Sequence, residues 1–362
     1  MGFSVNLEQA MKSSRRDNNF NLMRIIAAWL VLVTHSYGLL GLKSHEPLVR
    51  CGSNIPLGYL GLHMFFIISG FLISMSYHRR RTALAFIEAR LLRIFPGLFF
   101  ALLFCIFVIG PIVTSYPLAE YYSDKTWLKF FFLNQFCIDY FRDLPGVFIS
   151  NPYPRAVNGS LWTLPLEMRM YLVVFLLGII GVASRKRIFN LLFAGYCLGI
   201  ISSYYFYFAK FPAHFFLATS FMVGIFFYRN RIYMPINTGL MLVFSSLSIV
   251  TAFIGPLGIF FPFVYSYVIF WIAYVPKGMI LRYNNIGDFS YGVYIYAFPV
   301  QQFLIYKFAG LSVSWLIFGA SLIVLPLAMT SWYFVEKRAL GMKGRVFAKV
   351  WKQQPVFPGN GK

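Results

Sequence analysis

Acidic side chains are scarce. Asp and Glu together number 11 in 362 residues, against 32 Lys and Arg, for a net charge of +21. Charged residues of both signs reach only 12%, about half the share of a soluble domain, which excludes a soluble globular enzyme. Cysteine is also sparse. Cys51, Cys105, Cys137 and Cys197 are scattered with no Cys-x-x-Cys pair, so zinc-ribbon and thioredoxin-like chemistry are excluded and no metal is expected. Cys51 and Cys137 fall in segments read as external. Two free thiols are the preferred reading there, and a disulfide between them the lesser alternative. Zinc-finger spacings and repeated aromatic stacking motifs are lacking too, so the basic excess does not indicate nucleic acid. Nor is there an internal repeat with mirrored broken spans of the sort found in many transporters.

What the chain does have is apolar length. Hydrophobic residues make up 59% of it, with 42 Phe. Ten apolar runs are long enough to span a bilayer, at roughly 20–40, 58–77, 93–114, 161–182, 188–208, 212–228, 235–254, 256–275, 290–308 and 313–334. This predicts an all-α polytopic membrane bundle of about ten transmembrane helices, embedded in the lipid bilayer. The first run has the length of a span and follows a polar start, so no cleavable signal peptide is expected. Basic residues fall at alternate junctions: Lys12, Arg15 and Arg16; Arg79 to Arg81, Arg90 and Arg93; Arg185 to Arg187; Arg229 and Arg231; Lys277 and Arg282; and Lys337 onward. Basic loops stay in the cytoplasm, so both termini are expected there. The division is a cytoplasmic segment 1–19, a membrane domain 20–338 and a basic tail 339–362. Segment 115–160 is the one large external loop, a candidate lid. Within it, Phe130 to Phe136 is apolar enough to lie at the interface or dip back into the membrane.

Ionisable residues inside spans are costly and call for a reason. Arg24 and His35 share the first run, and about 16 Å of helix returns them to one face roughly three turns apart. The imidazole could act as a general base toward a hydroxyl or serve as a hydrogen-bonded link between helices. Its company with Arg24 favours chemistry. Arg90 and Arg93, at i and i+3, present two guanidiniums on one face at the start of the third run. They suit phosphate or plain anchoring. Glu167 lies about two turns inside the fourth run, with Tyr171 one turn beyond on the same face. That carboxylate could orient His35, bind sugar hydroxyls, or pair with Arg24 or Arg169 in a structural bridge. His63 is a rival base. For His63, Asp288, Gln301, Ser331 and Glu336, packing and capping are the preferred readings.

Taken together these segments resemble the acyltransferase 3 family of multispanning membrane O-acyltransferases. Arg24 and His35 match its signature of a basic residue, ten others and a histidine, and Gly61 to Ser74 resembles its second-span motif with Phe65 to Phe71 intact. Arg90 and Arg93 match its Arg-x-x-Arg pair. Leu161 to Tyr171 is similar to its Trp-x-Leu-x-x-Glu-x-x-x-Tyr segment, and Ser290 to Pro299 to its late Ser-Tyr-Gly-x-Tyr motif. One departure is Ala297, where many members carry a histidine. No hydrolase-like extra domain of the kind some members append is expected.

The resemblance implies transfer of an acyl group, acetyl favoured, from acyl-CoA to a hydroxyl of a cell-surface glycan or its lipid-linked precursor, in a bacterial inner membrane. His35 and Glu167 are the catalytic candidates. Arg24, Arg90 and Arg93 would hold the coenzyme phosphates. Asn158, Trp162 and Tyr171 would bind the acceptor. A transporter or flippase with no chemistry is the competing reading.

Overall fold

The computed structural model describes residues 5–14, 17–79, 83–182, 185–206 and 212–346. Arg15, Arg16, Arg80, Arg81, Lys210 and the tail beyond 346 lie outside the described residues. Two short strands, β1 (Val5–Asn6) and β2 (Pro235–Ile236), pair antiparallel with Val5 opposite Ile236. Among the described residues the other named elements are helical. The main helices are α1 (Leu7–Ser14), α2 (Phe20–Leu39), α3 (Leu57–Arg79) and α4 (Ala83–Phe104). There follow α5 (Thr163–Ile179), α6 (Lys186–Phe206), α7 (Ala213–Asn230), α8 (Thr238–Phe253) and α9 (Phe261–Tyr274). The chain ends in α10 (Ser290–Lys307), α11 (Val313–Ser331) and α12 (Lys337–Gly341). A π-helical turn, Cys105–Ile109, carries α4 on to Val113.

Among the described residues, seven helical stretches are long and apolar enough to cross a membrane: Phe20–Leu39, Leu57–His78, Leu84–Val113, Gly159–Ile179, Lys186–Phe206, Leu257–Tyr274 and Val313–Gly341. The other three apolar runs of the sequence are also helices, α7, α8 and α10. Helix α10 has a reason for its polarity. Nearly all of it is buried, and Tyr291, Tyr294, Gln301 and Gln302 point into protein rather than outward. Helices α6 and α11 are the reverse, with Leu191, Leu198, Phe206, Phe318 and Leu322 exposed as a lipid-facing surface requires.

Helix α3 is the axis of the bundle, packed along α2 on one side and α7 on the other. Small residues permit this, since helices in lipid associate by close van der Waals packing. A Cβ on Gly61 would lie 2.5 Å from the Ala27 carbonyl oxygen, and one on Gly70 only 2.0 Å from that of Phe221. Helix α10 packs against both α2 and α11.

Of the described basic residues, Lys12, Arg231 and Lys277 gather at one end. There Asn19 donates to the carbonyls of Ile272 and Pro276 at 2.9 and 3.0 Å. Glu8 lies 3.7 Å from Arg231 and 3.5 Å from Lys12. At the opposite end, segment 115–160 forms a packed cap, with Tyr121, Phe130 and Phe148 buried. Gln302 fastens it to α10, donating to the carbonyls of Tyr153 at 2.8 Å and Ala156 at 2.9 Å. Its helix Thr126–Gln135 descends beside α4. Trp127 meets Phe107, Phe131 meets Phe99, and the Gln135 amide donates to the Phe95 carbonyl at 3.3 Å. All four cysteines are free, Cys51 exposed and Cys137 buried.

Candidate active site

A cavity of about 360 Å³ opens among α2, α3, α4, α5 and the foot of α10. Each helix contributes one face, as the 3.6-residue repeat dictates. From α3 come Leu62, Phe65, Ser69 and Leu72; from α5, Thr163, Glu167 and Tyr171; from α4, Arg90, Arg93 and Ile94. Helix α2 adds Arg24, and the chain entering α10 adds Asp288, Tyr291 and Tyr294. Trp332, Leu340 and Lys343 close the ring from the C-terminal side. Among the described residues, four cations (Arg24, Arg90, Arg93, Lys343) thus face two carboxylates, Glu167 and Asp288.

Asp288 organises the cationic wall. One of its oxygens, Oδ2, accepts from Arg24 Nη1 and from Arg93 Nη2, each at 2.6 Å. The other, Oδ1, accepts from the Ser290 hydroxyl. Burial would raise the Asp288 pKa, but the two guanidiniums and Ser290 outweigh it and hold the carboxyl at about 2. Arg93 also lies 3.9 Å from Glu336, which accepts from Ser331 at 2.9 Å. Across the cavity Glu167 is held by hydroxyls: Ser69 donates to it at 3.1 Å and Tyr171 through a short hydrogen bond. The Arg90 guanidinium sits 5.9 Å from the Tyr171 ring centre.

A family model described as an acyltransferase domain matches residues 17–334. The chain belongs to the acyltransferase 3 family. It is 30% identical over 350 residues to an O-acetyl transferase of Shigella phage Sf6, an alignment covering 90% of this chain and 96% of that relative. It is 31% identical over 174 residues to nodulation protein 10 of Rhizobium leguminosarum bv. viciae, covering 45% of this chain and 44% of that protein. No solved structure matches the chain. The protein is an O-acyltransferase built as a membrane helix bundle, and the transporter reading has no support.

In this acyltransferase, five of the residues singled out in the sequence share the cavity: Arg24, Arg90, Arg93, Glu167 and Tyr171. His35 is not among the residues lining it. The imidazole packs edge-on against Phe298 of α10, ring centres 5.2 Å apart, and its Nδ1 is buried without a hydrogen-bond partner. Tyr294, which lines the cavity, lies one helical turn before Phe298. Its hydroxyl shares a 2.6 Å hydrogen bond with Thr163 and donates to the Ser160 carbonyl at 2.6 Å.

Asn158 and Trp162 do not line the cavity either. The Asn158 amide is committed to backbone, donating to the Ile295 carbonyl at 2.8 Å and accepting from the Ser160 N–H at 3.2 Å. Trp162 packs against the apolar core. His63 bonds Ser220 at 2.6 Å between α3 and α7, away from the cavity. Arg169 is exposed, and the partner of Arg24 is Asp288 rather than Glu167.

Asp288, Glu336 beside Arg93, and Lys343 are among the charged groups in or next to the site that the sequence pattern did not place there. A signal existed for the first two. With so few acids in the chain, one at the end of an apolar run is there to meet a cation.

Proposed function

We propose that this acyltransferase moves an acyl group, acetyl by preference, from acyl-CoA to a hydroxyl of a cell-surface glycan or its lipid-linked precursor. The observation that carries this reading is the cavity itself. Its arginines suit phosphate oxygens through charge-assisted, forked hydrogen bonds, and its Leu62, Phe65, Leu72 and Ile94 wall suits an aliphatic arm. A donor with a polyanionic head and a flexible arm needs both. The name of one relative, an O-acetyl transferase, favours acetyl as the group moved.

The cavity mouth lies at the end where Lys12, Arg231 and Lys277 gather. By the positive-inside rule that end is cytoplasmic, with ten helices crossing and both termini inside. The setting is then the bacterial inner membrane, with donor entering from the cytoplasm. Arg24, Arg90 and Arg93 hold the phosphates. The acceptor hydroxyl approaches beneath the 115–160 cap and gives its proton to His35. Its oxygen attacks the thioester carbonyl, the carbon–sulfur bond breaks, and the thiolate leaves as the coenzyme thiol after taking a proton. Glu167 is the second reading for the base, because it lines the cavity and His35 does not.

The test is coenzyme release by the purified enzyme in proteoliposomes, with acetyl-CoA and a glycan acceptor. Acceptor-dependent release by the wild type that is lost in His35→Ala supports His35 as base. Release that survives in His35→Ala and is lost in Glu167→Gln transfers the role to Glu167. No thioester cleavage with any hydroxyl acceptor overturns the donor assignment.

A further inference from the structure

The chain does not leave the bundle when α11 ends. It is clamped twice across the cavity mouth. Glu336 fixes the first point, accepting from Ser331 and lying 3.9 Å from Arg93. Glu88 fixes the second. This carboxylate on α4 is almost fully buried, and both its oxygens accept from tail backbone, from Gly344 N–H at 2.8 Å and Val346 N–H at 3.0 Å. Gly344 has φ +83°, a left-handed turn that glycine adopts without strain. Between the clamps α12 packs on α4, and Leu340 and Lys343 reach the cavity. An enzyme with so few carboxylates here commits one to holding its own tail in place.

We infer that segment 337–346 is a strap across the donor entrance and that Lys343 on it is a donor-binding residue, recognising a second phosphate-bearing part of the donor's head. This rests on the reading of the cavity as the site of a phosphate-bearing thioester. Arg24 and Arg93 sit in the cavity wall, tied to Asp288. Lys343 is exposed at the rim. A flexible ammonium at a rim meets an incoming polyanion first. The class of ligand selected is a nucleotide-type thioester carrying several phosphates, over a bare pantetheine thioester.

The experiment is binding of coenzyme A, and separately of pantetheine, to the full-length protein in detergent, by calorimetry at several salt concentrations. Lys343→Met is expected to weaken coenzyme A about fivefold and to flatten its salt dependence, since a rim charge acts through screened, long-range attraction. Its response to pantetheine and its unfolding midpoint without ligand stay as in the wild type. Glu88→Gln, which loosens the strap and keeps the lysine, lowers coenzyme A affinity in the same sense. Equal affinity and equal salt slope in wild type and Lys343→Met overturn the inference while leaving the donor reading intact. Coenzyme A that fails to bind even the wild type overturns both.

Discussion

Arg24 and His35 both face α10 from one side of α2, yet only Arg24 lines the cavity. Arg24 meets Asp288 just before α10 begins, and His35 meets Phe298 two to three turns up the same helix. For a thioester held by the arginines and a hydroxyl activated by His35, as proposed, the route runs past the cavity-lining contact of Tyr294 with Thr163 and Ser160. Under that proposal the contact is the wall that has to open.

Tyr294→Phe removes both hydrogen bonds of that wall and little volume. Each is worth about 1 kcal/mol net, so the open form gains population. Acceptor-independent hydrolysis of the thioester should rise by up to about thirtyfold as water reaches the donor. Coenzyme release measured without acceptor checks this, and a rate equal to the wild type's removes the wall from the mechanism.

Asp288→Ala leaves two guanidiniums facing each other around a missing carboxylate. Removing one partner of a buried ionic cluster costs about 3–5 kcal/mol. The variant should unfold at a clearly lower temperature, and Asp288→Asn should fall between it and the wild type. The pH dependence follows from the sign of the shift. A carboxyl held at about 2, below its ordinary value, contributes fully above pH 4 to 5 and loses its effect only as pH falls toward 2. Between pH 5 and 8 the unfolding midpoint of the wild type should therefore carry no step that Asp288→Asn abolishes. Such a step would show the carboxylate titrating in that range.

Gln301 ties α10 to the turn of α2 that carries His35, donating to the Leu32 carbonyl at 2.8 Å and the Ser36 hydroxyl at 2.6 Å. Ala297, one turn earlier, is buried and offers no polar atom. Gln301→Leu should lower kcat about tenfold through misplacement of the imidazole, with the KM for the donor unchanged because the arginine wall is untouched. An equal loss in the donor term would mean that the whole bundle has shifted.

How much of the site is legible in the sequence follows from what a helix encodes. Periodicity tells which residues share a face, so Glu167 with Tyr171 and Arg90 with Arg93 emerge as pairs from their spacing alone. It does not tell which helix that face meets. Asp288 lies 264 positions from Arg24 and 195 from Arg93, and nothing local distinguishes it from a helix cap. Lys343 sits in a basic tail whose composition reads as membrane anchoring, and its placement depends on Glu88, which binds Gly344 from 256 positions earlier. The apolar runs each became a helix. Helix α10 shows why hydropathy alone mistakes a fully protein-buried span for a weak one.

The glycines of α3 provide the sharpest packing test. Gly70→Ala would place a methyl 2.0 Å from the Phe221 carbonyl oxygen. That oxygen is backbone, so no rotamer change relieves the clash and α3 must part from α7. Overpacking of this kind costs about 1–3 kcal/mol or more. The displacement also reaches the site, because neighbouring Ser69 donates to Glu167 and the Phe221 ring packs 6.2 Å from that of Tyr171. Gly199→Ala on α6, where nothing lies within 4 Å, is the control and should be neutral or slightly stabilising, as expected of alanine in a helix. Unfolding midpoints in detergent compare the two, and acceptor-dependent coenzyme release is read at a temperature where both are folded. Gly70→Ala should lose activity even there, since the geometry around Glu167 changes with the helix separation. Full activity in a destabilised Gly70→Ala would show that the α3–α7 seam is structural and uncoupled from the carboxylate it borders.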